Sequence, residues 1–537
     1  MSSKASWTLR ARTARGTASV DAVLDHDAIA AHLEDAAHVP GGHAAALCRP
    51  STEADVAAIL RTSRAVLAIG AQSSLTGGAT PMGETVVGTN RFSKVLTIEP
   101  DRVRVQAGVT LADLDAALAS AGLYYPPAPT FAGAFVGGTV STNAAGAATF
   151  KYGTTRDWVH ALTVVLPAGD VLDVERGVTR AHPEGYFDLE LERATVRVPV
   201  PGYRMPAVPK LSAGYFAAPE MDLIDLFIGS EGTLGIITEV TLRVIPRPTS
   251  CLAFVTFADR AIALSAVGRL RTAAIATRRA QDPRGIDISA IEHMDRRCLD
   301  LLREEAVDHK YGVSIPTDAE MGILITLELP DGTSAKTVYD EIGCAGDPDA
   351  PDTPLTRFCR LLAEEGALDR TVIAAPGDHT TASRLLSLRE AVPAIVNQRV
   401  GRAQQTVDGR IEKTAADMVV PFARFEAALE VYAEEFGRWD LDVAVWGHIS
   451  DGNVHPNVMP RSFADVDAGR TAILEIGRRV MELGGAPLSE HGVGRNPTKQ
   501  RLLATLYGDA GIAAMRRVKS AIDPEWKLSP GVIFPAK

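Results

Sequence analysis

Two histidines, His448 and His455, flank the run Ser450-Asp451-Gly452-Asn453. Residues 441–449 read as a strand. The next four favour a turn, because Gly and Asn accept positive φ and Asp can bond its own backbone. With those four as the turn, Ile449 is expected opposite Val454, and His448 opposite His455. Directly opposed side chains have Cβ atoms about 4.5–5.5 Å apart, near enough for two imidazoles to share one metal ion. Asn457 lies two residues beyond His455 and so belongs to the same face. Further on, the pair Glu490-His491, within Ser489-Glu490-His491-Gly492, offers between them a third ligand and a base. Two histidines beside a turn are more often ordinary hydrogen-bonded residues than ligands, and the pair alone leaves both readings open.

The elements that must position these groups lie in a chain of 537 residues, long enough for two or three domains with large cores. Hydrophobic residues at 46% and charged residues at 23% mark a globular protein. A formal net charge of −11 repels phosphate backbones, which argues against nucleic acid as a partner. The five cysteines form no CxxC, so neither an iron–sulfur cluster nor a cysteine zinc site is signalled, and a reducing compartment fits. Residues 1–16 carry Arg10, Arg12 and Arg15 and no acid; they read as a disordered tail rather than a targeting segment. No apolar run is long enough to span a bilayer.

Ahead of the histidines lie two loops of small residues. Residues 51–55 cap a helix whose apolar stripe is Val56, Ile59 and Leu60. A short strand at 65–69 runs into Gly70-Ala71-Gln72-Ser73-Ser74-Leu75-Thr76-Gly77-Gly78, whose backbone N–H groups suit a pyrophosphate. This is neither a GxGxxG fingerprint nor a P-loop. Val103 and Val105 mark another strand, and Thr110 caps a helix carrying Leu111, Leu114 and Leu118. Residues 133–146 form the second loop, where small side chains let backbone approach a flat ligand. Strands at 161–166 and 171–174 form a hairpin, and 226–238 feed a strand to Val244. Beyond Cys251, strands at 252–257 and 322–329 alternate with a helix at 261–276, which reads as a sheet of the split βαβ kind.

Arg49-Pro50-Ser51-Thr52, both small-residue loops, Lys151-Tyr152-Gly153-Thr154-Thr155-Arg156-Asp157 and Gly229-Ser230-Glu231-Gly232-Thr233-Leu234-Gly235-Ile236 together resemble the vanillyl-alcohol-oxidase and p-cresol-methylhydroxylase (PCMH) superfamily of FAD enzymes. The resemblance implies an α+β chain. After an N-terminal tail and helix (1–43) come a PCMH-type FAD-binding domain (44–248) and a ferredoxin-like cap that chooses the substrate (249–485). A last segment (486–537) completes the active site and returns to the FAD domain. FAD contacts are implied for Gly70, Ala71, Gln72, Ser73, Ser74 and Thr76. A second group is Pro129, Gly137, Gly138, Thr139, Thr142, Gly146 and Gly153, and a third is Glu231, Gly232, Gly235, Ile236 and Ile237. The first loop has no His, the residue some relatives use to tether flavin, so FAD is expected to be non-covalent. Residues 179–209 are an insertion whose 194–200 stretch alternates like a strand, suited to covering the flavin or a subunit contact.

The C-terminal half resembles the D-2-hydroxyacid dehydrogenase branch, which includes D-lactate and D-2-hydroxyglutarate dehydrogenases and the catalytic subunit of glycolate oxidase. Arg389, in Leu388-Arg389-Glu390, and Lys413, ahead of Asp417-Met418-Val419-Val420-Pro421, would otherwise read as solvated charges. The resemblance makes them ligands of the substrate carboxylate, while Pro393 stands where some relatives carry a hydroxyl. It makes His448, His455 and Glu490 ligands of a divalent metal (zinc, manganese or iron), Asn457 a substrate contact and His491 the general base. The implied reaction is oxidation of a small D-2-hydroxy acid to the 2-keto acid, with hydride passing to flavin N5. The electron acceptor is a quinone, a cytochrome, an electron-transfer flavoprotein or oxygen. A cytoplasmic homodimer with at most peripheral membrane contact is expected. Competing readings are a non-redox flavoenzyme of the alkylglycerone-phosphate synthase type, a metal-dependent hydrolase without flavin, and a flavin-binding scaffold subunit. The hydrolase leaves the small-residue loops unexplained.

Overall fold

Helix Glu53–Thr62 begins at a reciprocal cap: the Thr52 hydroxyl accepts from Asp55 N, and the Asp55 carboxylate accepts from Thr52 N. Its stripe Val56, Ile59 and Leu60 packs on Val66, Val87, Val165 and Ile236. The helix is the crossover between Ala46–Cys48 and Val66–Ile69, which both pair parallel with Thr85–Gly88. This is how the first of two units starts in the computed structural model, which describes residues 6–19, 22–127, 129 and 131–535. The first unit comprises residues 1–146, 153–246 and 486–537, and the second 147–152 and 247–485.

The first unit also holds an antiparallel sheet in the order Val95–Ile98, Arg102–Gln106, Ile236–Arg243, Val159–Val165, Val171–Glu175. Two expectations are corrected here. Residues 133–146 are not all loop, because Val136–Ser141 is a short helix. Gly137 permits it: a Cβ there would lie 2.6 Å from Ala107 Cβ. The chain start is not a disordered tail where it is described. Thr8–Arg10 pairs parallel with Tyr186–Glu190, which pairs with Thr195–Pro199. The edge of the inserted hairpin is thereby covered, as exposed edges generally must be. Arg12 donates to the carboxylates of Glu53 (2.8 Å) and Asp173 (3.0 Å), giving the tail's charge a partner.

The C-terminal helix Pro497–Ile522 bends at Gly508 (φ 65°). Lys527 and Ser529 then run beside Val66, with Val66 N donating to Lys527 O (2.7 Å) and Ser529 N to Val66 O (2.8 Å). The buried Lys519 ammonium donates to Thr233 O (2.6 Å) and Leu528 O (2.9 Å), tying this return to residues 230–237. Burial pushes Lys519 down to about 8, against the pull of Asp523.

The second unit is built on an antiparallel sheet in the order Thr371–Ala374, Thr249–Phe257, Met321–Leu329, Asp287–Asp295, Val443–His448, Asn453–Val458. Thr249–Phe257 and Asp287–Asp295 are joined by helix Arg260–Ala280 and flank Met321–Leu329, each antiparallel to it. That is the split βαβ arrangement. Residues 147–152 belong to this unit, although residue position places them inside the FAD-binding stretch. Lys151 pairs with Asp287 and Glu328, and the Tyr152 hydroxyl donates to Glu328 Oε1 (2.8 Å). Helix His379–Thr406 carries Pro393 inside it. Its stripe Leu385, Leu388, Val392 and Val396 packs with Met294, Ala444 and Trp446. Burying each such large side chain is worth about 1.5–3 kcal/mol. All five cysteines are free thiols. Among the described residues no helix is long and apolar enough to cross a membrane.

Candidate active site

On strand Val443–His448, alternate residues share a face. Ala444 and Trp446 enter the core, and His448 ends the row in the same direction. A 3-10 turn at Ile449–Asp451 follows, and Gly452 (φ 79°) closes it. A Cβ at Gly452 would lie 2.0 Å from Val420 O. The turn therefore falls one residue earlier than the sequence suggests. His448 pairs with Asn453 and Trp446 with His455, in place of the expected Ile449–Val454 and His448–His455 pairs. The shift in register is even, so no side chain changes face. His448 and His455 become diagonal neighbours with ring centroids 5.6 Å apart, meeting edge to face. Gly447 (φ 145°) allows the close approach, since a Cβ there would be 2.8 Å from both Asn453 O and Val454 Cα.

Each imidazole stands against a carboxylate. His448 Nδ1 is 3.0 Å from Glu292 Oε1, and His455 Nδ1 is 3.3 Å from Asp417 Oδ1. Asn453 Nδ2 donates to Asp417 Oδ1 (3.1 Å) and Met418 O (2.8 Å). Glu292 also pairs with the buried Arg389, 2.7 Å from its Nε and Nη2. Burial raises the Glu292 carboxyl, but the charges of Arg389 and His448 more than offset this and bring it to about 2. Asn457 Nδ2 donates to His455 O (2.8 Å). Its Oδ1 is buried and accepts no hydrogen bond among the described residues. Lys413 donates to Asn397 Oδ1. Arg271 Nε holds Ser450 O (2.6 Å), bracing the turn between the histidines.

The second unit thus brings His448, His455, Asn457 and Arg389 together. The donor set fits a divalent ion: the carboxylate on His448 Nδ1 fixes that ring and its tautomer and would leave Nε2 for coordination. Glu490 and His491 lie in the first unit, partly buried. There the Glu490 carboxylate is 2.8 Å from the buried Lys210 ammonium. Glu292, Asp417 and Lys210 are the side chains that sequence reasoning left without a role. The signal for Glu292 was present: a carboxylate in the middle of a strand, within Ile291-Glu292-His293-Met294.

In the first unit the candidate loops are shaped by backbone. Gln72 (φ 51°), Asn143 (φ 48°) and Glu231 (φ 51°) are left-handed non-glycine residues. Such strain, of order 1–3 kcal/mol, collects at ligand sites. Each is locked by its own side chain. Gln72 Nε2 donates to His32 O (3.0 Å) and Ala79 O (2.9 Å). Asn143 Oδ1 accepts from Arg156 N (2.9 Å). The Glu231 carboxylate accepts from Val493 N and Gly494 N, both at 2.8 Å. Some glycines answer to packing. A Cβ on Gly235 would lie 2.4 Å from Val164 Cγ1, and one on Gly153 2.3 Å from Asp157 Oδ2. Gly138 has nothing within 4 Å of that position, so packing gives no reason for it, whereas close approach of a cofactor does. Thr139 and Thr142 donate to Val136 O (2.9 Å) and Gly138 O (3.1 Å). These loops fit FAD.

Residues 44–175 match the family described as FAD binding domain, and residues 257–533 the one described as FAD linked oxidases, C-terminal domain. The chain belongs to the FAD-linked oxidases and is an FAD-dependent oxidoreductase. It is 30% identical to an uncharacterised FAD-linked oxidoreductase of Mycobacterium tuberculosis, over 90% of each chain. It is 28% identical to a D-lactate dehydrogenase of Anaerostipes hadrus, over 86% of this chain and 83% of that one. Among solved structures, an alkyldihydroxyacetonephosphate synthase matches with a TM-score of 0.59 at 15% identity, covering 98% of this chain and 89% of the other. At that identity the likeness is one of fold.

Proposed function

We propose that this enzyme oxidises a small D-2-hydroxy acid, of the lactate, glycolate or 2-hydroxyglutarate class, to the 2-keto acid, and that a divalent metal takes part. The observation that carries the reading is the buried imidazole pair, each ring against its own carboxylate, with Arg389 on the same network. The likeness to a D-lactate dehydrogenase supports the substrate class. Bound, FAD would supply the two-electron acceptor, and zinc, manganese or iron a charge that lowers the pKa of the substrate hydroxyl. His448 and His455 would hold the ion through ring nitrogens. The sequence pattern adds Glu490 as third ligand and His491 as the base that takes the hydroxyl proton. Arg389 and Lys413 hold the substrate carboxylate and so fix which face of C2 is presented. Asn457 meets the substrate through its buried Oδ1. A separate acceptor (quinone, cytochrome or electron-transfer flavoprotein) then removes the electrons.

The test is anaerobic. Purified enzyme is mixed with D- and L-2-hydroxy acids while the visible flavin absorbance is followed, before and after chelation. Bleaching by a D-acid, lost on chelation and restored by a divalent ion, is the expected result. Flavin that stays oxidised with every acid would overturn the reading.

A further inference from the structure

We propose that Glu292 is the positioning residue of this site: one carboxylate that orients His448 toward a metal ion and Arg389 toward a substrate carboxylate. The proposal rests on the metal-dependent hydroxy-acid reading. Glu292 faces His448 directly across two paired strands, so its place is set by sheet register rather than by a mobile side chain. Its two oxygens are divided. Oε1 lies 3.0 Å from His448 Nδ1, and Oε2 lies 2.7 Å from Arg389. All three side chains are buried, at 7%, 2% and 7% exposure for Glu292, His448 and Arg389. A carboxylate at such depth is tolerated only when paired and hydrogen-bonded.

The division has chemical consequences. An acceptor on Nδ1 puts the imidazole proton there and the lone pair on Nε2, and its negative charge makes that lone pair a better donor to a metal. With Nε and Nη2 turned to Glu292, Arg389 keeps its end-on edge, Nη1 with Nη2, for a planar anion. Glu292 thus links the two halves of the substrate site, the cation that meets the hydroxyl and the guanidinium that meets the carboxylate. Asp417 stands against His455 in a similar way, 3.3 Å from its Nδ1, and also accepts from Asn453 Nδ2.

The experiment uses the full chain with flavin bound. Chelator-stripped protein is titrated with Co²⁺ and followed by its ligand-field absorption, which requires no turnover. Glu292→Gln keeps an acceptor for His448 Nδ1 but loses the charge, so Co²⁺ affinity should fall 10–100-fold. Flavin content should be unchanged. The double variant Glu292→Gln/Arg389→Gln, which leaves no unpaired guanidinium, should bind Co²⁺ as weakly as the single one. Glu435→Gln, which removes another buried carboxylate of the same unit paired with Arg438, should leave Co²⁺ affinity at the wild-type value. Equal Co²⁺ affinity in wild type and Glu292→Gln overturns the assignment, as does a comparable loss in Glu435→Gln. Failure of the wild type to bind Co²⁺ overturns the metal reading itself, so the two failures are distinguishable.

Discussion

Two glutamates, the half-buried Glu231 of the first unit and the buried Glu292 of the second, are shifted in opposite directions. Burial dominates Glu231 and pushes it up to about 7, against two backbone N–H groups and the charge of Lys499. Burial acts on Glu292 too, but Arg389 and His448 outweigh it and hold the group at about 2. The first unit shapes its site with backbone: left-handed residues, glycines and amide donors. The second shapes its site with charged side chains that answer one another. A flavin has a flat ring and a pyrophosphate that backbone can cradle, whereas a metal and a small anion need fixed charges. The two sites should therefore fail in different ways.

The largest expected effect sharpens that division. His491→Ala should slow flavin reduction by a D-2-hydroxy acid roughly 10²–10⁴-fold, the usual worth of a general base. Flavin and metal contents, measured by absorbance and elemental analysis, should stay at wild-type levels. Normal reduction would remove His491 from the reaction. Next in size is Gly447→Ala, which places a Cβ 2.8 Å from Asn453 O and Val454 Cα at φ 145°. It should cost about 3 kcal/mol in thermal unfolding and disturb metal binding more than flavin binding.

The pH dependence runs the same way. Glu231 has a folded value above 4.5, so its contribution to stability is full below about pH 4.5 and is lost as pH rises through about 7. The stability of the wild type relative to Glu231→Gln should fall by about 3 kcal/mol between pH 4.5 and 8. A flat difference would mean that Glu231 is not shifted. Glu292 has the opposite sign. In chelator-treated protein its contribution is full above about pH 4.5 and is lost as pH falls toward about 2. The smallest contrast pits two neighbouring glycines against each other. Gly137→Ala meets Ala107 and should lower stability by about 1–3 kcal/mol. Gly138→Ala meets nothing within 4 Å and should leave thermal stability of the flavin-free protein unchanged while weakening flavin binding. Equal effects would erase the distinction between packing glycines and ligand glycines.

What was legible in the sequence was local. Thr52 and Thr110 cap the helices they announce, and the hairpin at Val159–Val165 and Val171–Glu175 follows from its alternation. The convergence of His448 and His455 survived a wrong register because an error of two residues preserves the face. What was hidden was long-range. Glu292 and His448 are 156 residues apart, and nothing local says which strands will be neighbours. The helix at Val136–Ser141 depends on how closely Gly137 approaches Ala107, a packing fact with no trace in either residue's neighbourhood. The arginines of the chain start read as tail charges because their partners, Glu190 for Arg10 and Glu53 and Asp173 for Arg12, lie far down the chain.

The route of the chain sets an order of assembly. It passes into the second unit at 147, out at 153, in again at 247 and out at 486. On the ribosome, the whole second unit is available while the first still lacks residues 486–537. Lys527, whose ammonium donates to Leu60 O (3.1 Å) across 467 residues of sequence, arrives only at the finish. The nascent first unit must therefore wait with an unpaired side of Val66 and an incomplete core, a period during which exposed strand and apolar surface invite aggregation. A truncation near residue 485 would then yield a second unit with all its residues but a first unit unable to close, so early termination and slow synthesis are the conditions under which this chain is most in need of a chaperone.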